Sequence, residues 1–219
     1  MKIAVLNPNS STAVTASMEG CLAPLRAVTA HEITCYTLSE APLGIETDDD
    51  VAQVAPMVVD FVRNTPADAY VIACFSDPGL AAARATTTKP IFGVAESAYC
   101  ATLVLGESFG VISLGPSSIA RHKAKIDALG LTSRLAGDRS IDMDVAEAND
   151  ARHSRPTITR VAQDLLEKDK AEVLILGCAG MGEQRAGLQV GLGCIVIDPV
   201  QAAVSDAINA LDLNYGKGA

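Results

Sequence analysis

Ala69-Tyr70-Val71-Ile72-Ala73-Cys74-Phe75-Ser76-Asp77-Pro78-Gly79 is an apolar run of strand length that ends on a cysteine and breaks into a turn. Its Pro and Gly suit a tight strand-to-helix transition. The same grammar returns at Glu172-Val173-Leu174-Ile175-Leu176-Gly177-Cys178-Ala179-Gly180, and the two cysteines lie 104 residues apart. Ile91 with Ala98 matches Ile195 with Ala202 at that offset. A further pairing sets Leu6-Asn7-Pro8-Asn9-Ser10 beside Leu114-Gly115-Pro116-Ser117-Ser118, at an offset of 108. Together these matches predict a duplicated unit.

Working outward, strand-length apolar runs recur at 2–6, 33–38, 69–73, 91–94, 110–114, 172–176 and 195–197. Helix-period stretches at 51–63, 78–84, 96–105, 118–129, 157–168 and 200–211 separate most of them. The alternation predicts an α/β fold of two similar lobes, each a mostly parallel sheet flanked by helices. A pseudo-two-fold axis would relate the lobes, with a cleft between them. The expected division is 1–95 for the first lobe and 96–205 for the second, with a return of the C-terminal helix 206–219 to the first lobe left open. Open α/β sheets hold ligands at the carboxyl ends of their strands, so Cys74 and Cys178 would face each other across that cleft.

Composition narrows the function. With 49% hydrophobic residues, only 4% aromatic and no Trp, the chain suits parallel strands buried on both faces. Seventeen Lys and Arg against 26 Asp and Glu give a net charge of −9, and no basic stripe offers a nucleic-acid surface. The apolar start at 2–6 is too short for a signal peptide or a membrane span, so a cytoplasmic protein with no membrane partner is expected. In that compartment the six cysteines, which include no C-x-x-C pair, are expected to stay reduced. Cys21, Cys35, Cys100 and Cys194 lie in apolar runs and read as small buried hydrophobes. His31, His122 and His153 lack metal-site spacing and read as surface or packing residues; no metal is expected.

Cys74 and Cys178 stand apart because each ends a strand before a Gly-bearing turn. A thiol at a helix N-terminus meets unpaired N–H groups and the positive end of the helix dipole, which would lower its pKa from about 8.5 toward neutrality. Such a thiolate can act as a base.

Asn7-Pro8-Asn9-Ser10-Ser11, Cys74-Phe75-Ser76-Asp77-Pro78-Gly79-Leu80 and Gly177-Cys178-Ala179-Gly180-Met181 resemble the signatures of hydantoin racemases, within the aspartate/glutamate racemase superfamily. Pro42 followed by Ile45-Glu46, and Ile197-Asp198-Pro199-Val200 followed by Ala202-Ala203, extend the resemblance nearly end to end. It implies an active site between two α/β lobes, two thiols working without pyridoxal phosphate, metal or other cofactor, a small-molecule substrate, and a homo-oligomer. Cys74 and Cys178 match the catalytic pair. Asn9 and Ser10 match the substrate-holding loop, with capping of a helix near Thr12 as the competing use. Ser76 and Asp77 follow the first cysteine, and Gly177, Ala179 and Gly180 surround the second. Ser113 is the candidate hydroxyl at a strand end where hydantoin racemases carry Thr-Thr. The stretch 136–155 matches weakly and reads as a variable loop or lid.

Racemisation takes a proton from one face of a carbon and returns one to the other, which two opposed acid–base groups accomplish. A 5-substituted hydantoin or similar cyclic ureide is the expected substrate. An aspartate/glutamate-type racemase would carry Cys-Asn-Thr and Cys-Thr-His, whereas Cys74-Phe75-Ser76 and Cys178-Ala179-Gly180 stand here. A related decarboxylase would resemble a one-cysteine version. A small-molecule binding protein and a thiol redox sensor are the non-enzymatic alternatives, and Gly191-Leu192-Gly193 lacks the spacing of a dinucleotide-binding loop.

Overall fold

The computed structural model describes residues 1–216. The first sheet contains β1 (Lys2–Asn7), β2 (Glu32–Thr37), β3 (Ala69–Ile72) and β4 (Ile91–Gly93), in the order β2-β1-β3-β4 with every pair parallel. Its connections carry α1 (Thr12–Cys21), α2 (Ala23–Arg26), α3 (Asp48–Asn64) and α4 (Leu80–Arg84), and α5 (Val94–Thr102) leads out. The second sheet contains β5 (Phe109–Ser113), β6 (Leu135–Ser140), β7 (Val173–Leu176) and β8 (Ile195–Ile197), ordered β6-β5-β7-β8 and again wholly parallel. Around it run α6 (Pro116–Ala128), α7 (Val145–Asn149), α8 (Ala151–Glu167), α9 (Arg185–Leu192) and α10 (Pro199–Asp212). The two lobes share one strand order.

Period-two alternation assigns the faces of the strands. In β1, Ile3 and Val5 join a core with Val200, Ala203 and Val204 of α10, while Ala4 and Leu6 join Val58 and Val62 of α3. In β5, Phe109 and Val111 share a core with Ile126 of α6, while Ile112 belongs with Ile158, Val161 and Leu165 of α8. Both faces of both sheets are covered, which is why the strands read as unbroken apolar runs.

The lobes interlock through their last helices. Although α5 follows β4, its Ala95, Ala98 and Tyr99 are buried with Phe109, Val111, Val173 and Ile175 of the second sheet. Conversely, α10 follows β8 but lies against β1, β3 and β4 of the first sheet, and against α5. Seven residues of α10 are buried, at spacings of three and four. A fully buried Val or Leu contributes roughly 1.5–3 kcal/mol, so each exchanged helix is a substantial part of the core it completes. Of the expected 206–219 segment, residues 217–219 lie outside the described residues.

Two expectations need correction. The stretch 136–155 is not a loop: most of β6, all of α7 and the start of α8 occupy it. Its strand was hidden because Leu135-Ala136-Gly137-Asp138-Arg139-Ser140 is an edge strand, half-exposed throughout and dominated by small and charged residues. The 108-residue match of Leu6 with Leu114 is not a structural equivalence either. Val5 pairs with Val71 and Val111 with Ile175, so strand register relates the lobes by 106 residues at β1 and β5. By comparison, α1 and α6 begin 104 residues apart, as do β3 and β7. Among the described residues, no helix is long and apolar enough to cross a membrane.

Candidate active site

Each cysteine is carried two residues beyond the end of a central strand. The Ala73 N–H donates to Leu6 O at 2.8 Å, and the Gly177 N–H donates to Ile112 O at the same distance, so each ladder gains one last rung before its cysteine. Main-chain turns then close over Cys74 O and Cys178 O, which accept from Asp77 N and Met181 N. After Cys178 the chain enters a 3-10 turn, Ala179–Gln184, packed against α1 of the other lobe. Gly177 is obligatory there, because a Cβ would stand 2.5 Å from Ile112 O.

Cys74 and Cys178 line one cavity between the lobes, together with Phe75, Ser76, Gly177 and Ala179 from their strand ends. Asn9, Val14 and Ile45 complete the wall from the first lobe, and Leu114, Ser118, His122 and Val145 from the second. Its free volume is about 30 Å³, roughly one water's share of liquid volume. Admission of a larger molecule therefore requires part of the wall to retreat. A wider groove of about 500 Å³ lies beside Arg84, Lys89, Phe92 and α10, but no thiol reaches it.

The wall is fastened across the lobes near Glu46. Its carboxylate accepts from the Val145 N–H at 3.0 Å, and its carbonyl accepts from Arg121 Nη2 at 2.8 Å and Ser117 Oγ at 3.1 Å. Arg121 also pairs with Asp48 at 2.8 Å. These contacts bind the segment carrying Ile45 to α6 and α7.

Electrostatics in this enclosed site differ from the expectation of lowered thiol pKa values. Burial pushes the Cys74 thiol up to about 12, helped by Cys178 and Asp77, while the Ser76 N–H and hydroxyl pull the other way. Burial pushes Cys178 up to about 11, opposed by the Gly180 N–H. Desolvation outweighs the local donors because few groups on the wall can replace the water that a thiolate loses.

The other expected residues divide. Asn9 and Ser76 line the cavity, as do Gly177 and Ala179. Asn9 Oδ1 accepts from Asn7 Nδ2 and Ser11 N, while Nδ2 has no hydrogen-bond partner among the described residues. The cap of α1 is Ser11, which accepts from Val14 N, and neither Asn9 nor Ser10 fills that role. Ser10, Asp77, Ser113 and Gly180 are not part of the cavity wall. Ser10 donates its N–H to Pro42 O. Asp77 accepts from Ala95 N and Glu96 N at 3.0 Å each and meets Lys125 Nζ at 3.2 Å, so it caps α5. Ser113 is wholly buried, bonded to Asp138 and His122 behind the wall.

By sequence His122 reads as a surface or packing residue, yet it lines the cavity. Its signal was positional: it stands four residues after Ser118, and helical spacing places i and i+4 on one face. Among the described residues, no group of three or more His, Cys, Asp or Glu is arranged to hold a metal ion.

The fold is that of a two-lobed α/β protein with a cavity between its similar halves. The chain belongs to the Asp/Glu/Hydantoin racemase family, whose model matches residues 3–207, and it is an isomerase of the racemase type. It is 35% identical to a hydantoin racemase of Paenarthrobacter aurescens, across 98% of this chain and 93% of that one. Its fold is similar to an allantoin racemase from Klebsiella pneumoniae, with a TM-score of 0.92 and 28% identity over 98% of this chain and 89% of the other. A glutamate racemase from Campylobacter jejuni shares the fold at a TM-score of 0.63 and 21% identity, covering 94% and 84% of the two chains.

Proposed function

We propose that this racemase inverts the acidic α-carbon of a 5-substituted hydantoin or similar cyclic ureide, with Cys74 and Cys178 as opposed acid and base and no cofactor. The observation that carries the reading is that both thiols line one cavity, at matching strand ends of two lobes with one strand order. One thiolate takes the α-proton and becomes a thiol; the electron pair left on carbon delocalises onto the adjacent carbonyl oxygen. The opposite thiol then protonates the other face and is left as the thiolate, so the next turnover runs from the opposite side. Atoms and charge balance over each turnover.

A cyclic ureide is favoured over aspartate or glutamate because, among the described residues, no Lys or Arg lines the cavity. A dicarboxylate would lose its hydration there without a permanent cation to replace it. Cytoplasmic location and homo-oligomeric assembly belong to the same proposal, the first because the thiols must stay reduced.

The test is incubation of single enantiomers of 5-substituted hydantoins, allantoin, aspartate and glutamate in D2O, following optical rotation and α-deuteration. Loss of rotation with deuterium at the α-carbon is the expected result for a cyclic ureide. Rotation lost with aspartate or glutamate alone would overturn the substrate class, and no exchange with any of them would overturn the reading.

A further inference from the structure

We propose that His122 contacts the substrate directly, donating from Nε2 to the carbonyl oxygen that becomes negative when a thiolate removes the α-proton. This rests on the racemase reading above and adds the group that stabilises its intermediate.

His122 is only 3% exposed, and that remnant belongs to the cavity that holds both sulfurs. Its Nδ1 lies 2.9 Å from Asp138 Oδ2 and 3.1 Å from Ser113 Oγ. The Ser113 hydroxyl donates to the other Asp138 oxygen. A carboxylate only accepts, so Nδ1 carries its hydrogen toward Asp138 and the ring is held by that edge. Nε2 has no hydrogen-bond partner among the described residues, and the ring stands perpendicular to Phe75, 5.0 Å between centroids.

The reaction would create negative charge in a narrow cavity lined largely by apolar residues, where an aimed donor has its largest effect. Among the described residues of the wall, His122 carries the one imidazole. With Nδ1–H held by the Asp138 carboxylate, a hydrogen on Nε2 would be a charge-assisted donor to the substrate's carbonyl oxygen.

Comparison of the lobes shows that packing does not require this pair. His122 is the seventh residue of α6, and the seventh residue of α1 is Met18, fully buried in the main core. The cavity-lining third residues, Ser118 and Val14, correspond in the same way. Asp138 pairs with Val111 in register, and at the related Val5 the partner is Cys35. One lobe therefore fills this corner with Met and Cys, where the other buries His against Asp. Removing two ionisable groups from water is costly. A base is needed on both faces of the substrate, whereas the oxygen that accepts the charge lies to one side of the ring, and the donor is accordingly built once.

The test compares His122→Leu, His122→Gln and Asp138→Asn with the unaltered protein on one hydantoin enantiomer, with thermal melting as a check on folding. Binding of barbiturate, a planar cyclic ureide that is anionic at neutral pH, is measured beside uncharged 5-methylhydantoin. His122→Leu is expected to lower kcat by about a hundredfold with KM changed less than about threefold. Its preference for barbiturate over the neutral ligand should fall by about tenfold or more. His122→Gln, which keeps an N–H donor, should recover part of kcat, and Asp138→Asn should lose kcat without losing the neutral ligand. If His122→Leu does not fold, the other two variants decide. Unchanged kcat in the folded variants, or equal weakening of both ligands, overturns the assignment of Nε2 while leaving the two-thiol reading intact. An unaltered protein that racemises no hydantoin overturns that reading instead.

Discussion

Cys74 and Cys178 occupy the same point in two copies of one strand order, each one residue beyond a final ladder bond of 2.8 Å. Under the proposed mechanism, that equivalence would make each thiol the base for one face. Cys74→Ala and Cys178→Ala are each expected to abolish inversion, a loss of at least about a thousandfold, while retaining α-hydrogen exchange with one enantiomer only. The retained enantiomer should differ between the variants. Proton NMR in D2O on each pure enantiomer checks this, and exchange of both enantiomers by either variant contradicts it.

The pH profile follows from the burial of the sulfurs. Burial pushes both thiols well above their ordinary range, Cys178 to about 11 and Cys74 to about 12. At neutral pH the thiolate is the minor form, and its fraction grows about tenfold per unit as pH rises. The profile of kcat/KM reports the free enzyme. It should climb from pH 7 to 10 at a logarithmic slope near one and bend near 11; a plateau below pH 8 would show that a thiol ionises far more readily than its surroundings allow.

Asp77 illustrates how a residue three positions after a cavity-lining cysteine can serve the fold. Its two oxygens satisfy Ala95 N and Glu96 N at the start of α5, and Lys125 lies alongside. Asp77→Ala leaves buried N–H groups unpaired and should cost about 2 kcal/mol, with Asp77→Asn costing less. Urea midpoints measure this. KM should change less than about threefold, and a larger rise in KM without loss of stability would return Asp77 to the substrate.

If molecules enter past the segment carrying Ile45, admission should be controlled by the contacts around Glu46. Arg121→Ala removes the donor to Glu46 O and the ion pair to Asp48, each a contact of about 1 kcal/mol. The wall should open more often, and alkylation of Cys74 and Cys178 by iodoacetamide should accelerate by several-fold at fixed pH. Peptide mapping of the labelled thiols against time reads the effect. An unchanged labelling rate would mean that the path lies elsewhere.

The α/β class, the strands bearing the cysteines and the likeness of the lobes were legible because buried parallel strands must be apolar and turns must carry Gly and Pro. Leu135–Ser140 was not, since an edge strand is free to be polar. The Leu6/Leu114 match misled because the connections between strand and helix differ in length, so no single offset serves a whole lobe. The site was half legible. Spacing marked the cysteines, but the partners of a buried side chain are set by packing. Ser113 therefore looked available when it is spent on Asp138, and His122 looked inert when it lines the cavity.

The exchange of α5 and α10 constrains how such a molecule can move. Each half holds the other's outermost helix, so pulling the halves apart like a clamshell would expose two hydrophobic layers at once. Any opening would then fall to short connecting segments, and the sulfurs, anchored to the central strands, would keep their relative bearing. A chain severed near residue 95 would yield two pieces that each lack a wall and recover it only by reuniting.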